Sequence, residues 1–157
     1  MTWTPKPYSS EAEARAAVVA EALTWELTPW HHRGRIKRVG VDCGQFPLLV
    51  YAAAGLIETF DTGEYARDHM LHSAEERMLA MVQRFAVEID QSAIGPGDVV
   101  LYKFGRVFSH AALVLDWPQI IHPLVGAGCV VRGDADRDHY LIDKPARFFS
   151  YWAHDGG

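Results

Sequence analysis

From Ser109 to His122 the chain reads Ser-His-Ala-Ala-Leu-Val-Leu-Asp-Trp-Pro-Gln-Ile-Ile-His. Two short apolar runs, Ala111 to Leu115 and Gln119 to His122, flank the joint Asp116-Trp117-Pro118. Aliphatic and β-branched residues on either side of a proline-containing break predict a strand, a turn and a second strand. The pattern continues outward. Gly95-Pro96-Gly97-Asp98 is a turn, Val99 to Phe104 is the strand after it, Cys129 to Arg132 is another, and Phe148 to Trp152 supplies a further one. Gly, Pro or Asp bounds these runs, which predicts consecutive antiparallel strands.

The front half has a different period. Ser10-Glu11-Ala12-Glu13 is a capping-box pattern that opens an Ala-rich helix, with Val18, Val19, Ala22, Leu23 and Leu27 at helical spacing, ending before Pro29. Leu48 to Ala54 is a continuous apolar run that Gly55 can end, and it reads as a buried central helix. Pro47 is tolerated only in a first turn, so this helix starts at or after Gly44. Ser73-Ala74-Glu75-Glu76 repeats the capping pattern before Met78, Leu79, Val82 and Phe85. Helices first and strands second predict an α+β domain, with the helices on one side of an antiparallel sheet.

The length of 157 residues suits one domain, 1–157, with its core at about 10–152. Hydrophobic residues are 49% and charged residues 22%, a balance that excludes a disordered chain. A net charge of −5 argues against a nucleic-acid binder, and no apolar run has the length of a membrane span. Two cysteines, Cys43 and Cys129, cannot make a disulfide framework. The first residues lack the charged and apolar regions of a signal peptide, so synthesis in the cytoplasm is expected. The charge is segregated: Ile57 to Asp90 carries eight acidic and three basic residues, while His31 to Arg38 holds four basic ones. Such a strip is a solvated loop or a guide for an anionic substrate towards Asp42-Cys43.

Cys43 lies between a Gly- and Arg-rich loop and the apolar helix. A thiol at a helix N-terminus faces unpaired N–H groups that favour the thiolate and can bind an oxyanion. Asp42 opposes this unless it caps the helix or pairs with Arg35, Lys37 or Arg38. Free cysteines are also common as small buried hydrophobes, so position alone leaves both readings open. Histidines decide between them. His110 is expected at the start of one strand and His122 at the end of the next, and antiparallel pairing brings such ends together. A base and the partner that orients it need this arrangement.

The ordered segments Asp42-Cys43-Gly44, Gly97-Asp98-Val99-Val100-Leu101, Ser109-His110-Ala111-Ala112-Leu113-Val114 and Ile120-Ile121-His122 resemble the NlpC-type cell-wall peptidases, compact papain-like cysteine hydrolases. Thr28 to Arg35 and Leu71 to Arg77 resemble the branch encoded with the tails of phages and gene transfer agents. The resemblance implies a papain-like α+β fold, helices packed on a partly closed antiparallel barrel. It also implies hydrolysis of peptidoglycan stem-peptide amides without metal or cofactor. Cys43 would be the nucleophile, His110 the base and His122 the orienting residue. Trp30, His32, Asp42 and Ser109 would line the substrate groove, and Trp117 would wall the cleft. The family's common Asp-Cys-Ser-Gly is here Asp42-Cys43-Gly44-Gln45, and an aromatic that is often Tyr is Trp30.

His31-His32 beside Cys43 lacks the spacing of a zinc site. Cys129 reads as a buried apolar residue, and His69 and His72 as surface residues. The expected partners are peptidoglycan stem peptides and tail or baseplate proteins, with no nucleic acid and no membrane. The site of action would be the periplasm of a target cell. The alternative is a structural tail-tip subunit that uses the same fold with little hydrolysis.

Overall fold

The computed structural model describes residues 2–63 and 76–153. Helix α1 (Glu11–Leu23) begins where the capping pattern puts it, with Ser10 extended and its Oγ accepting the Glu13 N–H at 3.1 Å. The Glu13 carboxylate takes the Ser9 hydroxyl. Ala14, Val18 and Ala22 form its buried stripe at a spacing of four. Leu27 does not extend that stripe. It lies beyond the helix at φ 70° and is exposed, its N–H drawn to the carbonyl of Val130.

Helix α2 (Phe46–Ala53) starts two residues ahead of the predicted apolar run, because Pro47 fits the first turn, where its missing N–H has no intrahelical partner to lose. Phe46, Leu48, Val50 and Tyr51 are fully buried, and Gly55 ends the segment at φ 82°. Helix α3 (Arg77–Val82) is shorter than the spacing predicted, and Phe85 falls past its end. Of the second capping pattern, Ser73 to Glu75 lie outside the described residues, as do His69 and His72. Glu76 accepts the N–H of Phe108, tying the start of α3 to the sheet. Among the described residues no helix is long and apolar enough to cross a membrane.

A short hairpin, β1 (Arg35–Ile36) with β2 (Gly40–Val41), precedes α2. The main sheet has β3 (Val87–Ile89), β4 (Val99–Phe104), β5 (Val107–Asp116), β6 (Gln119–Leu124), β7 (Cys129–Asp134) and β8 (Ala146–Ser150). Its order is β3-β8-β4-β5-β6-β7, antiparallel throughout. All five predicted strands are present, and β5 is longer than expected at both ends. Alternation along the strands makes two cores. Val99, Leu101, Ala111, Leu113 and Phe149 meet Val18, Phe46, Val50 and Tyr51 on the helical side. Val100, Tyr102, Ala112, Ile120 and Phe148 meet Leu141 and Tyr140 on the other.

The outer edge of β7 is covered by the chain leaving α1. Leu27 N–H bonds Val130 O, Val130 N–H bonds Thr28 O, and Trp30 N–H bonds Gly128 O, each at 2.8–2.9 Å. This cover delivers the chain to the loop before Cys43.

Gly97 joins the layers. At φ 84° its N–H bonds Val114 O and its carbonyl takes the Tyr51 hydroxyl. A Cβ there would come 3.2 Å from Trp152 and 3.3 Å from Val18. Gly97→Ala should lose about 1–3 kcal/mol, lowering Tm by roughly 3–10 °C in thermal unfolding. A Tm within about 1 °C of wild type would contradict this packing.

Candidate active site

The loop that carries Cys43 is built around one carboxylate. Asp42 is buried, and its Oδ1 accepts the N–H of Gln45 at 3.0 Å while its Oδ2 accepts the N–H of Arg33 at 2.8 Å. Its backbone carbonyl accepts the N–H of Phe46 at 3.0 Å, the first residue of α2. One side chain thus caps the turn into α2 and fastens the preceding loop, at a point where Arg33 holds a left-handed φ of 60°. His32 adds its Nδ1 at 3.8 Å from Oδ2. Asp42 thus caps the turn, one of the two arrangements expected to help the thiol. Lys37 pairs with Glu21 at 2.8 Å, and Arg35 reaches the carbonyl of Phe60. Trp30 is half-buried on an extended segment bridged to Val41, just ahead of Asp42.

Cys43 sits in the turn three residues before α2 and is half-buried. Its thiol points at the strand that carries the predicted base, with Sγ 3.5 Å from the carbonyl of Ser109 and hydrogen-bonded by the Ala111 N–H. The sulfur therefore touches the backbone on both sides of His110. A β-bulge makes this possible. Tyr102 pairs with His110 but Lys103 pairs with Phe108, leaving Ser109 as the extra residue. Bulges re-aim neighbouring side chains, and this one lies directly before His110. The Ser109 hydroxyl donates to Phe104 O at 3.2 Å.

Burial, and then the Asp42 charge, push the Cys43 thiol up to about 12, against the pull of N–H groups from Ala111, Cys43 and Gly44. The cap that builds the loop is also the anion that opposes a second one. At neutral pH Cys43 is a thiol.

His110 and His122 form a direct pair, with Nε2 of His110 2.7 Å from Nδ1 of His122. The strand-end argument placed them together correctly, although His110 is the fourth of ten residues in β5 rather than its first. The ladder Leu113↔Ile121 and Val114↔Ile120 sets their register. Both side chains lie on the sheet face away from the helices, where His110 meets Tyr102 and Phe104, and His122 stacks on Tyr140 at 6.2 Å. His122 has no exposed surface. Burial, followed by the neighbouring His122, holds His110 well below the usual imidazole range. Burial takes His122 down to about 4 against the pull of Asp138. Both rings are neutral at pH 7, so His110 can accept a proton. Trp117 stacks edge-on against Phe148 in the far core, at 5.3 Å. Cys129 is half-buried, its Sγ 3.7 Å from the carbonyl of Ala127.

A thiol set against the backbone flanking a neutral histidine, which a second histidine engages, is the placing expected of a nucleophile, a base and its orienting partner. Residues 27–140 match the sequence profile of the NlpC/P60 family. The chain belongs to the NlpC/P60 family. The NlpC/p60 domain of the peptidoglycan hydrolase SagA superposes with a TM-score of 0.59 at 22% identity, over 85% of this chain and 96% of that one. The peptidoglycan hydrolase RipB of Mycobacterium tuberculosis gives 0.64 at 17% identity, over 95% and 70%. NlpC2 of Trichomonas vaginalis gives 0.64 at 13%, over 98% of this chain and 51% of its own. At these identities the likeness shows the fold. No curated protein sequence matches the chain. Sequence reasoning missed Tyr140 and Asp138, the residues packed behind His122, since nothing in an irregular stretch after β7 signals contact with β6.

Histidines buried neutral make the fold acid-sensitive. The unfolded chain takes up a proton on each near pH 6.5, the folded chain at His122 only near 4, so stability falls as pH falls through this window. Between pH 7 and 4.5, urea unfolding should show His122→Asn losing about 2 kcal/mol less stability than wild type. Equal losses would contradict the neutral, buried assignment.

Proposed function

We propose that this chain is a cysteine endopeptidase that hydrolyses amide bonds in peptidoglycan stem peptides. The observation that carries the reading is Cys43 Sγ set against the backbone flanking His110 while His110 Nε2 is engaged by His122. Membership of the NlpC/P60 family, and the peptidoglycan hydrolases SagA and RipB among proteins of this fold, support the substrate class.

The resting pair is thiol and imidazole, both uncharged, so charge develops during the attack. His110 Nδ1 takes the thiol proton as Sγ adds to the stem-peptide carbonyl, and the backbone N–H of Cys43 faces the oxyanion. The imidazolium then gives its proton to the leaving amine as the C–N bond breaks, leaving a thioester on Cys43. A water molecule, losing a proton to His110, attacks the thioester. The C–S bond breaks, and the proton passes back to sulfur. A pair that is neutral at rest avoids holding a buried thiolate beside Asp42 and confines the charge separation to the bound substrate. Trp30 and His32, on the loop fastened to Asp42, border the groove in this reading. Asp42 and Ser109 serve it through the loop and the bulge.

The finer reading is that the chain is a component of a phage or gene-transfer-agent tail, delivered with tail or baseplate proteins to open the wall from the periplasm of a target cell. The likeness of Thr28 to Arg35 to that branch supports it. Purified particles should contain the chain by mass spectrometry, and its presence in cells but absence from particles would contradict the assignment.

For the chemistry, purified sacculi incubated with wild type should release stem-peptide fragments by mass analysis. Cys43→Ala should release none, and His110→Ala should be slower by a factor of about 10³ or more. Cleavage by Cys43→Ala at the wild-type rate would overturn the proposal.

A further inference from the structure

Behind His122 the pair continues to a carboxylate. His122 Nδ1 is engaged by His110, and its other nitrogen, Nε2, is buried with no hydrogen-bond partner among the described residues. Gly133 of β7 lies beside it. A Cβ on Gly133 would stand 3.2 Å from His122 Nε2 and 2.7 Å from Asp138 Oδ2, so the ring nitrogen and the carboxylate face the same small space. Only a residue without a side chain leaves that space open between them. Asp138 is itself held. Its Oδ2 accepts the N–H of Asp134 at 2.8 Å and the hydroxyl of Tyr140 at 3.2 Å, and Tyr140 stacks on the His122 ring at 16° between planes. The Asp138 N–H bonds the carbonyl of Asp134, closing the turn.

We propose that Asp138 is a positioning residue that sets the tautomers of both histidines by keeping the proton of His122 on Nε2. This rests on the peptidase reading of the site. A neutral imidazole has one N–H. With the proton on Nδ1, His122 would turn the Nε2 lone pair towards a carboxylate. With the proton on Nε2, an N–H faces that carboxylate, which is the favoured arrangement. Nδ1 of His122 then carries a lone pair and needs a donor, which His110 provides through Nε2–H. His110 is left with a bare Nδ1, the form that can accept the thiol proton. The reverse arrangement would put a proton on His110 Nδ1 and block the base.

The other titratable groups of this face are Tyr102 on β4, which feels the charges of Asp136, Asp138 and Tyr140, His110 on β5, and Asp134 at the end of β7. Nε2 of His122 and Oδ2 of Asp138 are two polar atoms at the space beside Gly133, where Ile120 Cγ1 would stand 3.6 Å from a Cβ.

The test is histidine-selective ¹⁵N NMR of the full chain at pH 7, with His110→Ala and His122→Ala used for assignment. In wild type, His122 should carry its proton on Nε2 and His110 should have an unprotonated Nδ1. Asp138→Asn keeps an acceptor for the Asp134 N–H and the Tyr140 hydroxyl but removes the charge. It should shift both rings towards the opposite tautomers and lower kcat on stem peptides about 10- to 100-fold with KM little changed. Gly133→Ala, which fills the space, should also disturb the His122 signals. A wild-type His122 protonated on Nδ1 overturns the proposal even if every variant fails to fold. So does Asp138→Asn with wild-type tautomers, or with wild-type kcat. The spectra do not depend on turnover, so a chain inactive on peptidoglycan with the expected tautomers would sink the peptidase reading and leave this one standing.

Discussion

The packing of α2 against β5 is the contact on which the rest of the structure depends. Phe46, Val50 and Tyr51 share one buried apolar cluster with Ala111 and Leu113, and this contact fixes α2, and with it the turn that Asp42 ties to the preceding loop. Burying a side chain of this size contributes about 1.5–3 kcal/mol, so this one face holds the nucleophile loop with several. Because Cys43 precedes the helix by three residues and the bulge at Ser109 interrupts the strand, that apolar contact sets the sulfur on the backbone of His110. The chemistry is placed by hydrophobic burial at one remove.

Burial has a second consequence, which is electrostatic. A loop that has to be fastened by a buried Asp42 cannot also hold a stable anion one residue away. A pair of histidines sunk into the far face of the sheet cannot easily hold a cation. Cys43 and His110 are therefore both neutral, and in the proposed mechanism they act as a proton relay rather than a stored ion pair. In such a relay the direction in which each ring carries its proton matters more than its charge. Asp138, reached only through the gap that Gly133 leaves, then has something to control.

Much of this was legible in the residues. Ser10 started its helix, Gly55 ended another, and the turn Asp116 to Pro118 sat between paired strands, because each is a local preference that tertiary structure had no reason to overrule. The nearness of His110 and His122 followed from antiparallel pairing alone. What was not legible came from long-range contact. The two-residue strands β1 and β2 carry no periodicity, and the first turn of β5 is read as loop because Gly105 and Arg106 stand in front of it. Leu27 looked like helix by spacing but was claimed by Val130 at a sheet edge. The opposing pulls of N–H groups and Asp42 on the Cys43 thiol could be read in sequence, whereas the burial that weighs most could not.

The central claim is that Cys43 carries the acyl group in turnover. Wild-type protein mixed with a stem-peptide substrate, quenched in acid within the first turnover and analysed by peptide mass spectrometry, tests it most directly. The account predicts an adduct with the mass of the acyl fragment on the peptide containing Cys43, formed no later than the amine product. Release of the amine product with Cys43 unmodified at every quench time, while added thiol or hydroxylamine leaves the course unchanged, would contradict it.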